Sequence, residues 1–281
     1  MLHRALLFLE RRTFEVADVV IATNDSHKEI AVLRGGKRPE DVIVVRSGPE
    51  LSRFRQYDPD PGWRRGKEHL LVYLGEICEQ DGVDHLVRAI AILRDEIGRD
   101  DFHCVFVGGG PYQPMIVRYA AELGVVDLCT FTGRVSDDVL CRILSSAHVA
   151  VDPDPKNPWS DKSTMNKVVE YMYFGLPIVC YDLHEARVSA GAAALYVTPN
   201  SEAALAKGID DLLLDPGRCA QMGRIGRWRV RDTLAWEHSK PLLLAAYDRV
   251  FARLPTARRR RHADGGPGTA ADEARRGGGA I

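Results

Sequence analysis

The sequence predicts an α/β fold in which helices cover both faces of a parallel sheet. Between residues 69 and 181, short runs of β-branched and other apolar residues alternate with helical patterns, which is typical of βαβ units. Three of these runs lead into a glycine, at Gly75, Gly108 and Gly133. Because the carboxyl ends of parallel strands meet at one edge of a sheet, the glycines are expected to open that edge to a ligand.

The composition argues against several kinds of binding partner. The 281 residues include 38 Lys and Arg against 39 Asp and Glu, and a formal charge of -1 favours neither nucleic acid nor an anionic membrane as a partner. The six cysteines form no C-x-x-C pair and stand in or beside apolar runs, so we expect reduced, buried thiols. No metal site is expected, because the nine histidines show no zinc-ligand spacing.

The first 60 residues predict an incomplete unit ahead of the sheet. The opening stretch MLHRALLFLERRTFEVAD meets charged residues too early to span a bilayer and is expected to form an amphipathic helix. Residues 19–22 and 42–45 predict two strands with a helix between them. The Pro- and Arg-rich residues 57–68 predict an interdomain linker.

Five strands are expected in the main sheet, each buried on both faces, at residues 69–74, 104–107, 129–131, 149–151 and 177–181. Helices are expected between them, including one over residues 83–97 and one opened by Ser136. Two more follow the sheet, at residues 201–214 and 240–253. Residues 255–281 turn to Arg, Gly and Ala without apolar anchors, so this tail is expected to be disordered.

Residues 160–182, SDKSTMNKVVEYMYFGLPIVCYD, are the most informative segment. Ser163 or Thr164 can cap a helix that ends at Gly175 in a left-handed turn. Four apolar residues of this helix recur at helical spacing and predict one buried stripe: Met165, Val168, Val169 and Met172.

Asn166, Lys167 and Glu170 are then expected to share a different, exposed face near the start of that helix. Free N–H groups of the first turn favour a phosphate, Lys167 adds a positive charge, and Glu170 can accept hydrogen bonds from a vicinal diol such as ribose. A solvated helix face has the same spacing, so the residues alone leave that alternative open.

The loop Gly108-Gly109-Gly110-Pro111 follows a strand and precedes a helix, so it allows close approach of a ligand to the backbone. It lacks the complete G-x-G-x-x-G pattern and the lysine of a Walker loop. A tight turn is therefore an equal alternative.

Several segments together resemble one family. VYLGEICEQDGVDHLVRAI, FHCVFVGGGP, CTFTGRVSDDVL, NKVVEYMYFGLPIVCYD and LAWEH are similar, in order and spacing, to the C-terminal half of glycosyltransferase family four, a group of retaining enzymes with the GT-B fold. The resemblance runs from about residue 17 to residue 254. It implies that residues 61–254 form a Rossmann-like domain that binds a nucleoside diphosphate sugar, and that residues 1–60 are the remnant of an N-terminal acceptor domain with its linker.

The resemblance also implies which residues bind the donor, a UDP or GDP sugar that is a substrate, with no cofactor expected. Glu170 matches the carboxylate that binds ribose, and Glu170 and Lys167 are the expected catalytic residues. The other expected donor-binding residues are Gly75, Gly108, Gly109, Gly110, Arg134, Val135, Ser163, Thr164 and Asn166.

One departure from the family pattern concerns the sugar. The family commonly has two glutamates eight residues apart, the first of which contacts the transferred sugar, but the residue eight positions before Glu170 is Lys162. Two explanations stay open: a sugar contact from Asp161 or Ser163, or a donor of a different subclass.

A second departure concerns the diphosphate. The family often has an Arg and a Lys after the first strand, whereas Glu76 and Asp81 stand in this region. Lys167 is therefore expected to neutralise more of the diphosphate charge.

The resemblance implies a glycosyltransferase that acts on a glycan or a lipid-linked acceptor in the cytoplasm, with peripheral contact at the inner membrane face. About 60 residues before the first sheet strand are too few for an acceptor domain, so a partner chain that supplies one is a further expectation. Two alternatives stay open: a non-catalytic nucleotide-sugar-binding module, and a sugar-nucleotide epimerase, which shares the GT-B fold.

Three weaker signals complete the reading. Asp152 and Asp154 fit a metal-binding D-x-D pattern, but solvated loop carboxylates are the favoured interpretation. Glu185 can approach the sugar or pair with Arg187. The basic run at residues 258–261 is interpreted as part of a solvated tail rather than as a membrane contact.

Overall fold

A small α/β unit opens the chain. The structure, a computed structural model, describes residues 2–49 and 51–253. The first elements are helix α1 (Leu2–Val16), strand β1 (Val20–Ala22), helix α2 (Asp25–Leu33) and strand β2 (Val42–Val44). Strands β1 and β2 pair in parallel, which confirms the predicted early strands and the helix between them. We call residues 2–49 the N-terminal unit.

The main sheet is built from strands whose apolar side chains are mostly buried. Its strands are β3 (His69–Leu74), β4 (Phe102–Val107), β5 (Cys129–Gly133), β6 (Val149–Asp152), β7 (Ile178–Tyr181) and β8 (Ala194–Val197). All neighbours are parallel, in the order β5-β4-β3-β6-β7-β8. The order reverses between β3 and β6, so a crevice opens there at the carboxyl ends of the strands, as in other doubly wound sheets.

The prediction of five strands was wrong by one. Strand β8 pairs with β7 along its length, but its sequence ALYV is short and follows an alanine-rich stretch that gives no alternation to detect. The expectation that each of the five predicted strands is buried on both faces was also wrong for the edge strand β5, and the unpredicted edge strand β8 is similar. Most residues of β5 and β8 are only half-buried, because each has a neighbour on one side alone.

The helices that cover the sheet are α3 (Val83–Asp95), α4 (Gln113–Glu122), α5 (Asp137–Ser146), α6 (Asn166–Phe174), α7 (His184–Ala190), α8 (Glu202–Leu213), α9 (Pro216–Arg229) and α10 (Trp236–Arg253). The Ser136 side chain accepts a hydrogen bond from the Val139 backbone N–H, which confirms the predicted start of α5. No helix among residues 2–49 and 51–253 is long and apolar enough to cross a membrane.

Helix α9 was missed because it is rich in arginine and glycine and shows little apolar periodicity. Its glycines allow α9 to pack tightly on α6. A Cβ atom on Gly223 would lie 2.2 Å from the Gly175 carbonyl oxygen, and one on Gly226 would lie 3.0 Å from Cγ of Met172. A five-residue π-helical turn, Val230–Leu234, then connects α9 to α10.

The predicted linker and tail have different outcomes. Residues 57–68 include a short 3-10 helix, Pro61–Arg64, and the Trp63 side chain packs against the core of the main sheet. This segment therefore packs on the sheet rather than only crossing between units. The predicted disordered tail, residues 255–281, lies outside the described residues. All six cysteines are free thiols, but only Cys104, Cys141 and Cys180 are fully buried.

Candidate functional site

The glycine-lined edge of the sheet forms a cavity of about 260 Å³. Five of the predicted donor-binding residues line it together: Gly75, Gly108, Gly109, Arg134 and Val135. A Cβ atom on Gly108 would lie 1.9 Å from the Gly75 carbonyl oxygen, and φ at Gly108 is +120°, so a side chain is excluded at this position. The loops after β3, β4 and β5 thus meet at one opening, as the sequence predicted.

Gly110 is not among the residues that line this cavity. It packs instead against the loop after β3, where an added Cβ would lie 2.3 Å from the Ile77 carbonyl oxygen. Its role is therefore to let two backbone segments approach closely.

The N-terminus of α6 differs from the prediction. The N-cap residue is Met165, and no side chain caps the helix. Ser163 Oγ donates to the Trp159 carbonyl oxygen at 2.8 Å, and Thr164 Oγ1 accepts from Asn24 Nδ2 at 3.0 Å. The prediction that Ser163 or Thr164 caps α6 was therefore wrong, because both hydroxyls make other contacts. The first backbone N–H groups of α6 have no capping side chain, so they can meet an anion.

Asn24 of the N-terminal unit holds the segment before α6. It is fully buried and caps α2 by accepting from the His27 backbone N–H at 2.8 Å. Its amide also donates to the Lys162 carbonyl oxygen at 2.7 Å. Nothing in the local sequence of Asn24 signals this role, because its partners lie about 140 residues further along the chain.

Asn166 and Glu170 lie together in a second cavity of about 330 Å³. The remaining lining residues are Ser47, Gly48, Pro49, Arg53, Phe54 and Trp236, the first residue of α10. Burial raises the pKa of the Glu170 carboxyl, and the positive charge of Arg53 opposes this shift. Arg53 also forms an ion pair with Asp137 at 3.1 Å. Arg53 was not identified from the sequence, because it precedes the main sheet and matches no motif.

Lys167 is mostly buried, with 11% of its side chain exposed, so its placement on an exposed helix face was wrong. Its Nζ atom forms ion pairs with Asp154 and, at 3.3 Å, with Asp152. The interpretation of these aspartates as solvated was also wrong, because both are almost fully buried. The D-x-D pattern was visible in the sequence, but its lysine partner comes from another element.

Lys167, Asp152 and Asp154 lie close enough to affect one another's ionisation. Burial raises the pKa of Asp152 well above its usual value, and the neighbouring Asp154 adds to the shift. Burial alone would lower the pKa of Lys167, but the adjacent Asp154 and Asp152 carboxylates raise it well above its usual value. The Lys167 ammonium therefore lies against Asp154 and close to Asp152, and burial favours the protonated form of Asp152.

Lys167 nevertheless borders the glycine-lined edge. Its Cε atom would lie 3.4 Å from a Cβ atom on Gly75, and its ammonium lies 5.0 Å from the centre of the Tyr73 ring. Lys167 thus stands between the two aspartates and the loop that follows β3.

Glu185 does not pair with Arg187. Glu185 is buried, accepts a hydrogen bond from Ser26 Oγ at 2.6 Å and forms an ion pair with Arg46 at 3.3 Å. Arg187 pairs with Asp182. Both partners of Glu185 belong to the N-terminal unit, so this carboxylate joins the two parts of the chain.

Two of the acidic residues considered with the departures from the family pattern have hydrogen-bond partners within the protein. Asp161 accepts from the His184 backbone N–H at 2.8 Å, and Asp81 accepts from the Cys78 backbone N–H at 2.9 Å. The Lys162 side chain lines a cavity beside β1. Glu76 lines the glycine-lined cavity, where it is the acidic member.

Among the described residues, one group brings three potential metal ligands within 4.8 Å of one another: Glu68, His69 and Asp101. It lies at the amino ends of β3 and β4, opposite the glycine-lined edge. Arg99 donates to Asp101 at 3.2 Å, so a guanidinium already neutralises one of the carboxylates. The absence of a bound metal stays a prediction.

The sheet order and the glycine-lined crevice define a Rossmann-like domain of the GT-B type. Residues 68–215 match the family described as Glycosyl transferases group 1, and the chain belongs to this family. Among solved structures, it is similar to sucrose-phosphate synthase of Thermosynechococcus elongatus, with 23% identity, 89% of this chain and 62% of that chain covered, and a TM-score of 0.72. The Anabaena protein HepE bound to UDP and glucose matches at 16% identity, over 87% of this chain and 66% of its own, with a TM-score of 0.71.

Curated relatives are also similar to much of this chain. A 2-deoxystreptamine glucosyltransferase of Streptomyces kanamyceticus is 29% identical over 64% of this chain and 46% of its own length. A GDP-mannose-dependent phosphatidylinositol monomannoside mannosyltransferase of Mycobacterium tuberculosis is 30% identical over 68% of this chain and 51% of its own. The chain thus spans about half the length of these relatives.

Proposed function

We propose that this chain is the donor-binding half of a retaining glycosyltransferase that uses a UDP or GDP sugar. The observation that carries the proposal is that the glycine-lined cavity and the uncapped start of α6, with the half-buried Glu170 one turn further along this helix, lie at the same edge of the sheet. The relatives named as glucosyl- and mannosyltransferases support a hexose as the transferred sugar.

The geometry suggests how the donor lies. The base occupies the cavity beside Arg134 and Val135, and the ribose diol donates to Glu170. The diphosphate then meets the first N–H groups of α6, with Lys167 nearby. Because Asp154 already pairs with Lys167, the ammonium has to be shared between this carboxylate and the phosphate.

The proposed reaction exchanges two bonds at the anomeric carbon. The bond between this carbon and the diphosphate oxygen breaks, and a bond to the acceptor hydroxyl oxygen forms on the same face. The hydroxyl proton passes to the departing diphosphate, so no protein nucleophile is required. The protein contributes positioning and stabilisation of the leaving charge by the α6 N-terminus and Lys167.

The proposal includes no metal and no cofactor. The only acidic pair near this edge with metal-binding spacing, Asp152 and Asp154, is buried against the Lys167 ammonium among the described residues. Displacing that ammonium would leave a buried lysine without a counterion. The nucleotide sugar is the substrate.

The acceptor half of the site is proposed to come from further structure, in the same polypeptide or in a partner chain. Helix α1 has no buried residue, and four apolar side chains on one face are exposed: Leu2, Leu6, Leu9 and Val16. Apolar surface of this extent favours burial against another surface. The acceptor is a glycan or a lipid-linked sugar. The free thiols fit a reducing compartment such as the cytoplasm, where we place the protein, with peripheral contact at the membrane as part of the proposal.

Nucleotide binding tests the proposal first. The purified chain is titrated calorimetrically with UDP, GDP and ADP, and we expect UDP or GDP to bind. In Glu170→Gln the affinity should fall about tenfold, because an uncharged amide accepts a weaker hydrogen bond from the ribose diol. Glu122→Gln, at the exposed end of α4, is the control and should bind like the wild type. No binding at millimolar nucleotide would contradict the proposal.

Product analysis separates the alternatives. Supplied with the donor, a transferase releases the nucleoside diphosphate, by hydrolysis or by transfer to an acceptor. An epimerase changes the sugar without an acceptor. A binding module leaves the donor intact even when an acceptor-binding half is supplied as a second chain. Each outcome selects one of the three functions.

A further inference from the structure

A basic groove lies at the other end of α6 from the donor site. It has a volume of about 560 Å³ and is lined by three arginines and a tryptophan of the α9 region, Arg224, Arg227, Trp228 and Arg231, together with Leu51, Gln56, Tyr173 and Val230. We call it the arginine groove. Tyr173 is near the C-terminus of α6, whereas the donor site includes the first turns of the helix.

The basic side chains of the groove are arranged by the helix itself. Arg224, Arg227, Trp228 and Arg231 recur at i, i+3, i+4 and i+7, so they share one face. The glycines at positions 223 and 226 lie on another face and pack against α6. The backbone positions of the three arginines therefore span about 10 Å along the helix axis.

Only one of the three guanidinium groups, that of Arg231, has an acidic partner among the residues that the structure describes. Arg224 has no hydrogen bond or ion pair with any residue that the structure describes. Arg227 donates to the Phe174 carbonyl oxygen at 3.1 Å, and Arg231 pairs with the exposed Asp232. Helix α9 itself contains no acidic residue. The formal charge of -1 for the whole chain therefore conceals a locally cationic surface.

The chemistry of the groove fits phosphate groups at a lipid surface. Guanidinium groups bind phosphate oxygens through paired N–H donors, and a line of three suits several phosphates rather than one. The Trp228 side chain is 52% exposed beside them. An indole ring with an exposed apolar body and an N–H donor is favoured at the headgroup level of a membrane.

We propose that the arginine groove binds the phosphate groups of anionic phospholipids and so holds the protein at a membrane surface. A soluble phosphate compound would satisfy the arginines, but it would leave the Trp228 ring in water. The proposal uses none of the residues placed at the donor site, so it stands or falls independently of nucleotide binding.

Vesicle binding by the full chain tests this proposal. The fraction that sediments with vesicles of phosphatidylglycerol and phosphatidylcholine is compared with the fraction bound to phosphatidylcholine alone. Binding is expected only with the anionic lipid and should weaken as salt is raised. The paired change Arg224→Gln with Arg231→Gln should lower the affinity about fivefold for each arginine. Arg218→Gln, an exposed site on a different face of α9, should bind like the wild type.

Three results would overturn the proposal. Binding of the paired glutamine variant to anionic vesicles with the affinity of the wild type would place the contact elsewhere. Wild type binding neither vesicle would exclude a lipid surface. Inorganic pyrophosphate that binds through Arg224 and Arg231, without vesicle binding, would identify a soluble ligand instead. Thermal unfolding and UDP or GDP titration of each variant serve as the folding control, since these arginines are exposed.

Discussion

At the scale of single residues, the contacts of Lys167 set the charge at the start of α6. Its side chain is mostly buried and its ammonium contacts Asp152 and Asp154. The loop at Gly75, on the glycine-lined edge of the sheet, is close to the same side chain. A buried ion pair contributes little when intact, but removal of one partner leaves an uncompensated charge. The cluster therefore matters to stability as well as to the donor.

We predict that Lys167→Met lowers the free energy of unfolding by about 3 kcal/mol, because Asp154 loses its counterion inside the protein. Adding Asp154→Asn should restore much of this loss, since an amide needs no counterion. Urea unfolding followed by circular dichroism measures both effects. If the single and the paired variant lose the same free energy of unfolding, the ion pair with Asp154 is not the contribution of Lys167 to stability.

Asp152→Asn should make the protein more stable at pH 7. Burial raises the pKa of Asp152, so the folded protein keeps the proton that the unfolded chain releases above about pH 3.9. Wild-type stability is therefore lost as pH rises from that value towards the folded pKa, and asparagine avoids this cost. Unfolding at pH 4 and pH 7 should show a gain that is larger at pH 7.

Residue identities at the site were easier to predict than their environments. Gly108 and Glu170 were found because a strand-glycine junction and a helix stripe are local patterns. The burial of Asp152 and Asp154 was not predictable, because it depends on Lys167 reaching them from α6.

At the scale of elements, the contact between α9 and α6 depends on glycine. Gly223 faces the C-terminal turn of α6, where a Cβ would lie 2.2 Å from a backbone oxygen. A backbone atom cannot move aside as the end of a flexible side chain can. The arginine groove and the end of α6 are therefore held at a fixed separation.

Gly223→Ala should destabilise the protein by about 1–3 kcal/mol through overpacking. Gly217→Ala, in the first turn of the same helix, should be neutral or stabilising by up to about 1 kcal/mol, because its Cβ meets only the Asp215 side chain at 3.4 Å. The midpoints of thermal unfolding compare them. A loss of the same size in both variants would mean that helix propensity, not packing, decides the result.

Helices with apolar stripes were predicted and α9 was not. Helix α3 buries eight of its residues, and their apolar periodicity can be detected in the sequence. Helix α9 buries only Met222, Gly223 and Gly226, and glycine carries no hydrophobic signal. Its position is decided by tertiary contact.

At the scale of the whole molecule, a few buried polar contacts join the N-terminal unit to the main sheet. Asn24 donates hydrogen bonds to the Lys162 carbonyl oxygen and to Thr164. Glu185 accepts a hydrogen bond from Ser26 and forms an ion pair with Arg46. These bonds connect the residues just before α6 to a unit whose own core is small. The N-terminal unit is therefore connected to the main sheet directly beside the start of α6.

Asn24→Ala should lower the free energy of unfolding by about 2 kcal/mol, because it removes a helix cap and leaves the Lys162 carbonyl without its partner. Ser201→Ala, which removes the cap of α8 alone, should cost about 1 kcal/mol. Amide hydrogen exchange should quicken at residues 162–166 in the first variant only. Unchanged exchange there would contradict a role for Asn24 in holding the segment.

The order of the main sheet has a consequence for how the protein forms. Strands β3, β4 and β5 are neighbours in the chain as well as in the sheet, but β3 must also pair with β6, where Leu71 meets Val149. Contacts between distant parts of a chain form slowly, because the intervening segment must first lose conformational entropy. The crevice between β3 and β6 should thus be completed late in folding, after the β3-β4-β5 half has assembled.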